Sequence, residues 1–325
     1  AQDRTDRVAG DRRAGRADPG AGGRMNPLSW RTGRWVIGAS CLGLVLWSTG
    51  LDPFVAGIRS LDLPTLALGA AIAVPVTVAC AWRWRLVAAG LGLSVEPAAA
   101  VASCYRSQFL NTVLPGGVLG DVHRGVRHGR LAGDTGRGLR AVVWERTAGQ
   151  VVLALVAVGL LLVLPSPVRG LVAWLLVVLV VGVGTAVLVR AVREDLRHGV
   201  LARTVWPGVV VASAVAVAGH LATYVVAARA VGVTASVGTL LPLAVVVLVA
   251  AGLPTNVAGW GPREGVAAWV FAAAGLGAGQ GVATSVAFGA IVAVASLPGA
   301  VVMVLGSARR RAVPAEVAGP GGVHA

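Results

Sequence analysis

The chain has 325 residues, 56% of them hydrophobic and only 13% charged, with a mean hydropathy of +0.78. Soluble domains carry roughly 45–50% apolar and about 25% charged residues, so a surface that faces water on all sides is excluded. An integral membrane protein is expected. The net charge is +14, and every basic side chain is Arg. These arginines flank apolar runs with hardly any interleaved aromatics, which fits membrane topology and anionic lipid better than nucleic acid.

Residues 1–34 are polar, rich in Arg, Asp and Gly, and lack periodicity, so a disordered basic cytoplasmic tail is expected. Met25 reads as the natural start. Arg31 and Arg34 precede the apolar run 35–51, which shows no small-residue cleavage site and reads as a retained first span. Further runs able to cross about 30 Å of hydrocarbon are 63–82, 141–164, 171–189, 206–228 and 282–305. Three shorter runs remain: 98–113, 239–253 and 266–276.

Arginines crowd the stretches 83–140 and 190–204 and the C-terminal end, whereas 52–62 and 165–170 hold only Arg59 and Arg169. Both termini are therefore expected in the cytoplasm. Six crossings result if 239–276 is a re-entrant hairpin, eight if both its arms cross. The fold class is all-α: a polytopic transmembrane bundle of six to eight crossings with one or two broken or re-entrant elements. Segment 98–113 reads as an interfacial or partly inserted helix, because the residues after it, Gly120 to Arg140, are too charged to re-enter lipid.

One pattern occurs twice. Leu114-Pro115, Gly120 and Arg124 recur as Leu253-Pro254, Gly259 and Arg263. Paired interrupted segments in two halves of a membrane protein point to a substrate site. In the first, Pro115, Gly116 and Gly117 free backbone groups that can hold an anion, and Arg124 adds a planar fork suited to phosphate. Asp121 is placed to hold Arg124, since i and i+3 share a helical face. Just upstream, Cys104, Gln108 and Asn111 form a weakly polar stripe.

The second loop carries Pro254, Asn256, Gly259, Gly261, Arg263 and Glu264. Its Gly and Pro content forbids continuous helix. Irregular backbone at membrane depth survives only inside protein or along a cavity, so Arg263 and Glu264 read as an intramembrane charged pair. Glu145 and Arg146 open the third long span. Adjacent residues do not face each other on a helix, so each needs a partner elsewhere. His220 and Tyr224 share one face of the fifth span. Cys41, Cys80 and Cys104 lack metal or disulfide spacing and read as buried small hydrophobes. No hydrolase, metalloprotease or phosphate-loop signature is present, so neither an enzyme nor a cofactor or metal is expected.

The order of these motifs resembles the lysylphosphatidylglycerol synthase transmembrane-domain family of flippase-like membrane proteins. That family has a Pro-Gly break followed by Gly-Asp and Arg, matched by Leu114-Pro115, Gly120-Asp121 and Arg124. A Glu-Arg opens a later helix, matched by Glu145-Arg146. Its Gly-x-Gly-x-Arg-Glu loop is matched by Gly259, Gly261, Arg263 and Glu264, with Gly275-Leu276 and Leu297-Pro298-Gly299 trailing. The resemblance implies a flippase-like transmembrane domain over 35–308, followed by a short cytoplasmic tail, 309–325. It further implies binding and translocation of phospholipid or another anionic lipid in the cell (inner) membrane. The expected substrate-binding residues are Arg124, Asp121, Glu145, Arg146, Asn256, Arg263 and Glu264. No soluble transferase domain is expected after the last span, so the synthase reaction is not expected with the resemblance. Two other readings stay open. One is a membrane glycosyltransferase with a polyprenyl-phosphate donor, using Asp52 or Asp62 as base. The other is a non-transporting partner of a separate lipid-modifying enzyme.

Overall fold

The computed structural model describes residues 40, 42–114, 117–188, 194–252 and 261–311, and every regular element among them is helical. In chain order these are α1 (42–49), α2 (Asp52–Arg59), α3 (Leu63–Gly90), α4 (Pro97–Val113), α5 (Leu119–Leu131), α6 (Thr135–Val163) and α7 (Leu171–Leu188). A π-helical turn, Leu196–Val200, precedes α8 (Trp206–Ala230). Then come α9 (Val237–Ala251), α10 (Pro262–Ala273), α11 (Ala278–Ser296) and α12 (Pro298–Arg311). The tails 1–34 and 312–325 lie outside the described residues.

Among the described residues four helices are long and apolar enough to span a membrane: α3, α6, α8, and α11 continued into α12 as far as Leu305. They coincide with four of the expected spans. Outward-facing Leu68, Val74, Val78, Leu155, Leu162, Val211 and Val215 are exposed on them, as hydrocarbon solvent requires and water would not favour. The chain is a polytopic helical membrane protein.

Two spans are longer than the hydrophobic runs that announce them. Asp62 caps α3 by accepting from Thr65 N at 2.9 Å, and the helix then runs to Gly90. Arg83 and Arg85 are therefore helical rather than part of a loop. Asp134 accepts from Arg137 N at 2.8 Å and starts α6 ahead of its apolar stretch.

The bundle contains the same four-helix unit twice. In the first half α3 packs on α4 and α6, α4 on α5, and α5 on α6. In the second, α8 packs on α9 and α11, α9 on α10, and α10 on α11. Cross-contacts obey the same exchange: α3 meets α11 as α8 meets α6, and α6 meets α9 as α11 meets α4. Local geometry repeats as well. After α3, the amides of Leu91, Gly92 and Leu93 bond back to Val87, Ala89 and Ala88; after α8, those of Val231, Gly232 and Val233 bond to Ala227, Arg229 and Ala228. The turn closing α5 (Ala132, Gly133 and Asp134 onto His128, Arg130 and Gly129) recurs after α10 (Ala274, Gly275 and Leu276 onto Val270, Ala272 and Phe271). A Cβ on Gly138 would strike the Gly125 carbonyl and Gly129, and one on Gly281 would strike the Ala267 carbonyl and Phe271. Helices thus approach closely at matching places.

The central pair, α3 and α8, runs antiparallel. Val205 and Val209 at the start of α8 cluster with Val87 near the end of α3, and mid-helix Gly219 abuts Val76. Equivalent spans of opposite direction make an inverted repeat. The register differs from the one the twin motifs suggest. Aligning the turns after α5 and α10 sets Arg263 opposite Asp121, one helical turn ahead of Arg124.

The short helices pair as two hairpins, α4 with α5 and α9 with α10, whose described inner ends reach the middle of the bundle. Helices α9 and α10, of 15 and 12 residues, reach only about 22 and 18 Å. Gly252, at the end of α9, lies against Gln150 midway along α6. This is the re-entrant form of the second element, not a pair of crossings. Leu240, Leu243, Val245 and Val247 of α9 are fully buried, as an all-apolar helix must be. The first hairpin corrects the expectation of an interfacial helix with a solvated return arm. Helix α5 packs against both α4 and α6, with Asp121 and Arg124 buried. Its charges, which lipid would reject, face protein groups that satisfy them.

Candidate functional site

A cavity of about 370 Å³ lies where the two halves meet. All eight helices of the repeat line it, α3 through Val76, Cys80 and Arg83 and α8 through Ala216 and His220. The hairpins supply Cys104, Ser107, Gln108, Asn111, Asp121 and Arg124 on one side and Leu248, Gly252 and Arg263 on the other. Glu145, Arg146 and Gln150 enter from α6, Phe288 and Ile291 from α11.

The first half contributes a chain of charges. Glu145, 3% exposed, accepts from Arg83 Nε at 2.8 Å and also from Arg83 Nη2 on Oε1. Its Oε2 accepts from Arg124 Nη2 at 2.9 Å. Arg124 also lies 3.2 Å from Asp121, one turn away, and donates from Nη1 to Cys104 Sγ at 2.9 Å. Asp121 is held by Ser107 Oγ at 2.6 Å and Asn111 Nδ2 at 2.7 Å, and it takes Arg146 as a further ion-pair partner. Arg83 reaches across to Ser213 Oγ of α8 at 3.2 Å. Two buried carboxylates therefore bind three guanidiniums. Such groups are tolerated away from water only when each is matched.

The hairpin geometry that makes this possible is local. Gly120 N donates to Asn111 Oδ1 at 2.8 Å, and a Cβ on Gly120 would overlap the Ser107 carbonyl. Glycine lets α5 lie flat against α4. Gly117, in the turn, has φ 63°, a conformation glycine adopts freely.

The second half contributes a different arrangement. Gly261 (φ 122°) opens α10, and its N–H donates to Glu264 Oε2 at 2.8 Å. That bond folds Glu264, fully buried, back over the first turn. Its Oε1 then accepts from Arg263 Nε at 2.9 Å and from Ser285 Oγ at 3.2 Å. Arg263 donates to Ser285 Oγ at 3.0 Å as well, and its guanidinium stands 5.6 Å from the Phe288 ring centre.

Of the expected residues, Arg124, Asp121, Glu145, Arg146 and Arg263 line this one cavity, and Glu264 stands behind Arg263. Pro115, Gly116, Leu253, Pro254, Asn256 and Gly259 lie outside the described residues. The stripe Cys104, Gln108 and Asn111 faces the cavity, as does His220; Tyr224 is instead fully buried against Phe288. Cys104 is buried in a core cluster with Trp84 and Ala100, as expected, and it also lines the cavity, as does half-buried Cys80; both are free thiols, and Cys41 lies outside the described residues. Asp62 serves as the α3 cap, and neither it nor Asp52 lines the cavity. Sequence reasoning missed Arg83, Ser213, Ser285 and Phe288. For Arg83 a signal was there: Leu86, Val87, Ala88 and Ala89 continue the apolar pattern beyond it.

Fold and cavity define a membrane protein of two inverted halves enclosing a polar site at mid-bundle. The family described as the lysylphosphatidylglycerol synthase TM region matches residues 33–299, and the chain belongs to it. No curated protein and no solved structure matches the chain.

Proposed function

We propose that the chain binds the phosphate of an anionic lipid headgroup in the central cavity and moves that lipid between leaflets. The observation that carries this reading is the charge of the site. Arg83, Arg124, Arg146 and Arg263 face Asp121, Glu145 and Glu264, an excess of one positive charge at the central cavity. A phosphodiester would balance it, and guanidinium forks suit phosphate oxygens. Arg146, with 42% of its side chain exposed, and Arg263 are the groups placed to receive it. Glu145 and Glu264 orient the guanidiniums. Apolar lining from Leu153, Val217, Leu248 and Ile291 suits the glycerol and upper acyl carbons beside the headgroup.

The protein acts as a lipid carrier rather than as an enzyme, in the cell (inner) membrane with both termini cytoplasmic. Support for that orientation comes from Arg85, Arg127, Arg130, Arg137 and Arg140, which belong to the end of the bundle where α3 finishes and α6 begins. Positively charged ends face the cytoplasm. Fluorescent phospholipid scrambling in proteoliposomes tests the reading. Arg263→Ala slows the wild-type rate about tenfold or more, the effect of losing one charge-assisted contact. An unchanged rate refutes the site.

A further inference from the structure

We propose that a second cavity, at the open end of the first hairpin, is a separate phosphate-binding site that shares Arg124 with the central one. It encloses about 200 Å³ between the first half of α4, the second half of α5 and the late part of α3. Arg106, Arg124 and Arg127 line it, with Trp84, His123 and His128. Glu96 is the one carboxylate in its wall, and that side chain is engaged as a helix cap. It accepts from Ala98 N at 2.9 Å and Ala99 N at 2.6 Å.

The pointer to a guest is a set of nitrogens with nothing to bond. Trp84 Nε1 and Arg124 Nε are sealed from solvent and have no hydrogen-bond partner among the described residues. Trp84 is 1% and Arg124 6% exposed. Buried polar groups nearly always find partners, so two unpartnered N–H donors on residues that line one cavity mark the place of a missing acceptor. The acceptor must be anionic, because the wall is cationic, and rich in oxygens, because a guanidinium and an indole donate to it from different directions. A phosphate group meets both demands.

Arg124 is the wall between the two cavities. Its Nη atoms hold Cys104 and Glu145 on the central side, whereas Nε is left without a partner in a residue that also lines the second cavity. Its plane is fixed by stacking 4.7 Å from the Trp84 ring centre. An anion in the second cavity therefore pulls on the guanidinium that Glu145 holds. This site needs no lipid transport to exist, and its guest could be a lipid phosphate from the bilayer or phosphate from solution.

The test uses the full chain in a maltoside detergent, which carries no phosphate. Calorimetric titrations with inorganic phosphate and with dihexanoyl phosphatidylglycerol are run at ionic strength matched by chloride. Two classes of site are expected in the wild type. Arg127→Gln weakens one about tenfold and spares the other, Arg127→Lys restores most of the loss, and Arg263→Ala spares the Arg127-dependent class. Binding of both titrants at that class points to the aqueous source, and binding of phosphatidylglycerol alone to the bilayer; either supports the proposal. A folded Arg127→Gln with unchanged isotherms overturns it. So does a wild type whose melting temperature and heats respond to neither titrant beyond what Arg263→Ala abolishes.

Discussion

The two halves share a backbone plan and differ in what they place on it. Seven residues after the packing glycine Gly138, helix α6 presents Glu145; seven after Gly281, helix α11 presents Phe288. The first gathers Arg83 and Arg124 around a carboxylate. The second sets an aromatic face beside Arg263, whose charge is met by its neighbour Glu264. Trp84 and Tyr224 also occupy matching places: the first carries Arg124 on its ring, and the second packs against Phe288 at 5.5 Å. One scaffold thus supports an ion network in one half and a compact neutral pair with aromatic support in the other. Scaffold and charge are separable.

The largest effect on this contrast comes from Glu145→Ala. It strands two guanidiniums inside the bundle, at a cost of about 3–5 kcal/mol. A large drop in melting temperature, followed by fluorescence-detected size exclusion, is expected, together with loss of scrambling. Phe288→Glu is the complementary change and makes the halves alike. It cancels the positive excess of the cavity, so binding of dihexanoyl phosphatidylglycerol at the central site weakens about tenfold, whereas Phe288→Leu leaves it within a few-fold. If Phe288→Glu binds as tightly as wild type, the charge argument fails.

The smallest effect concerns the helix caps. The first half starts α3 and α4 with carboxylates, Asp62 and Glu96, and the second starts α9 with the hydroxyl of Ser236. Hydrogen bonds from Thr65 hold the Asp62 carboxyl below its ordinary range, and those from Ala98 and Ala99 do so for Glu96. Groups depressed in this way stabilise above the usual carboxylate range, and that stability is lost as pH falls through their folded values. Hydrogen exchange at a pH below the ordinary carboxylate range, corrected for the intrinsic rate, should therefore lose protection at the starts of α3 and α4 but not of α9.

Much of this was readable from the sequence. Asp121 does hold Arg124, and Glu145 and Arg146 do find different partners, because spacing and the cost of buried charge dictate those outcomes; Arg263 pairs with its neighbour Glu264 because the Gly261 amide folds that carboxylate back. The repeated motif pointed to a real repeat in a shifted register, since Gly, Pro and Arg mark a turn and not the phase of the helix after it. Arg83 was lost because an arginine at the end of an apolar run reads as a boundary, although Glu145, remote in sequence, makes it an interior residue. The first hairpin was misjudged because α5 was weighed against lipid, and its true neighbours are α4 and α6. No local pattern reveals that choice of solvent.

The connector between the halves is constrained by the inversion. Arg83 and Glu145 pair while α6 runs back along α3, so Leu164, just past α6, lies at the end where α3 began. Gly199, ahead of α8, touches Gly90 at the other end. The chain must change ends between Leu164 and Gly199, and the described helix between them is α7, with 18 residues and a length of about 27 Å. A connector that changes ends is what an upside-down second unit requires; shortened to a simple turn, it would leave two like-oriented pieces with no common seam.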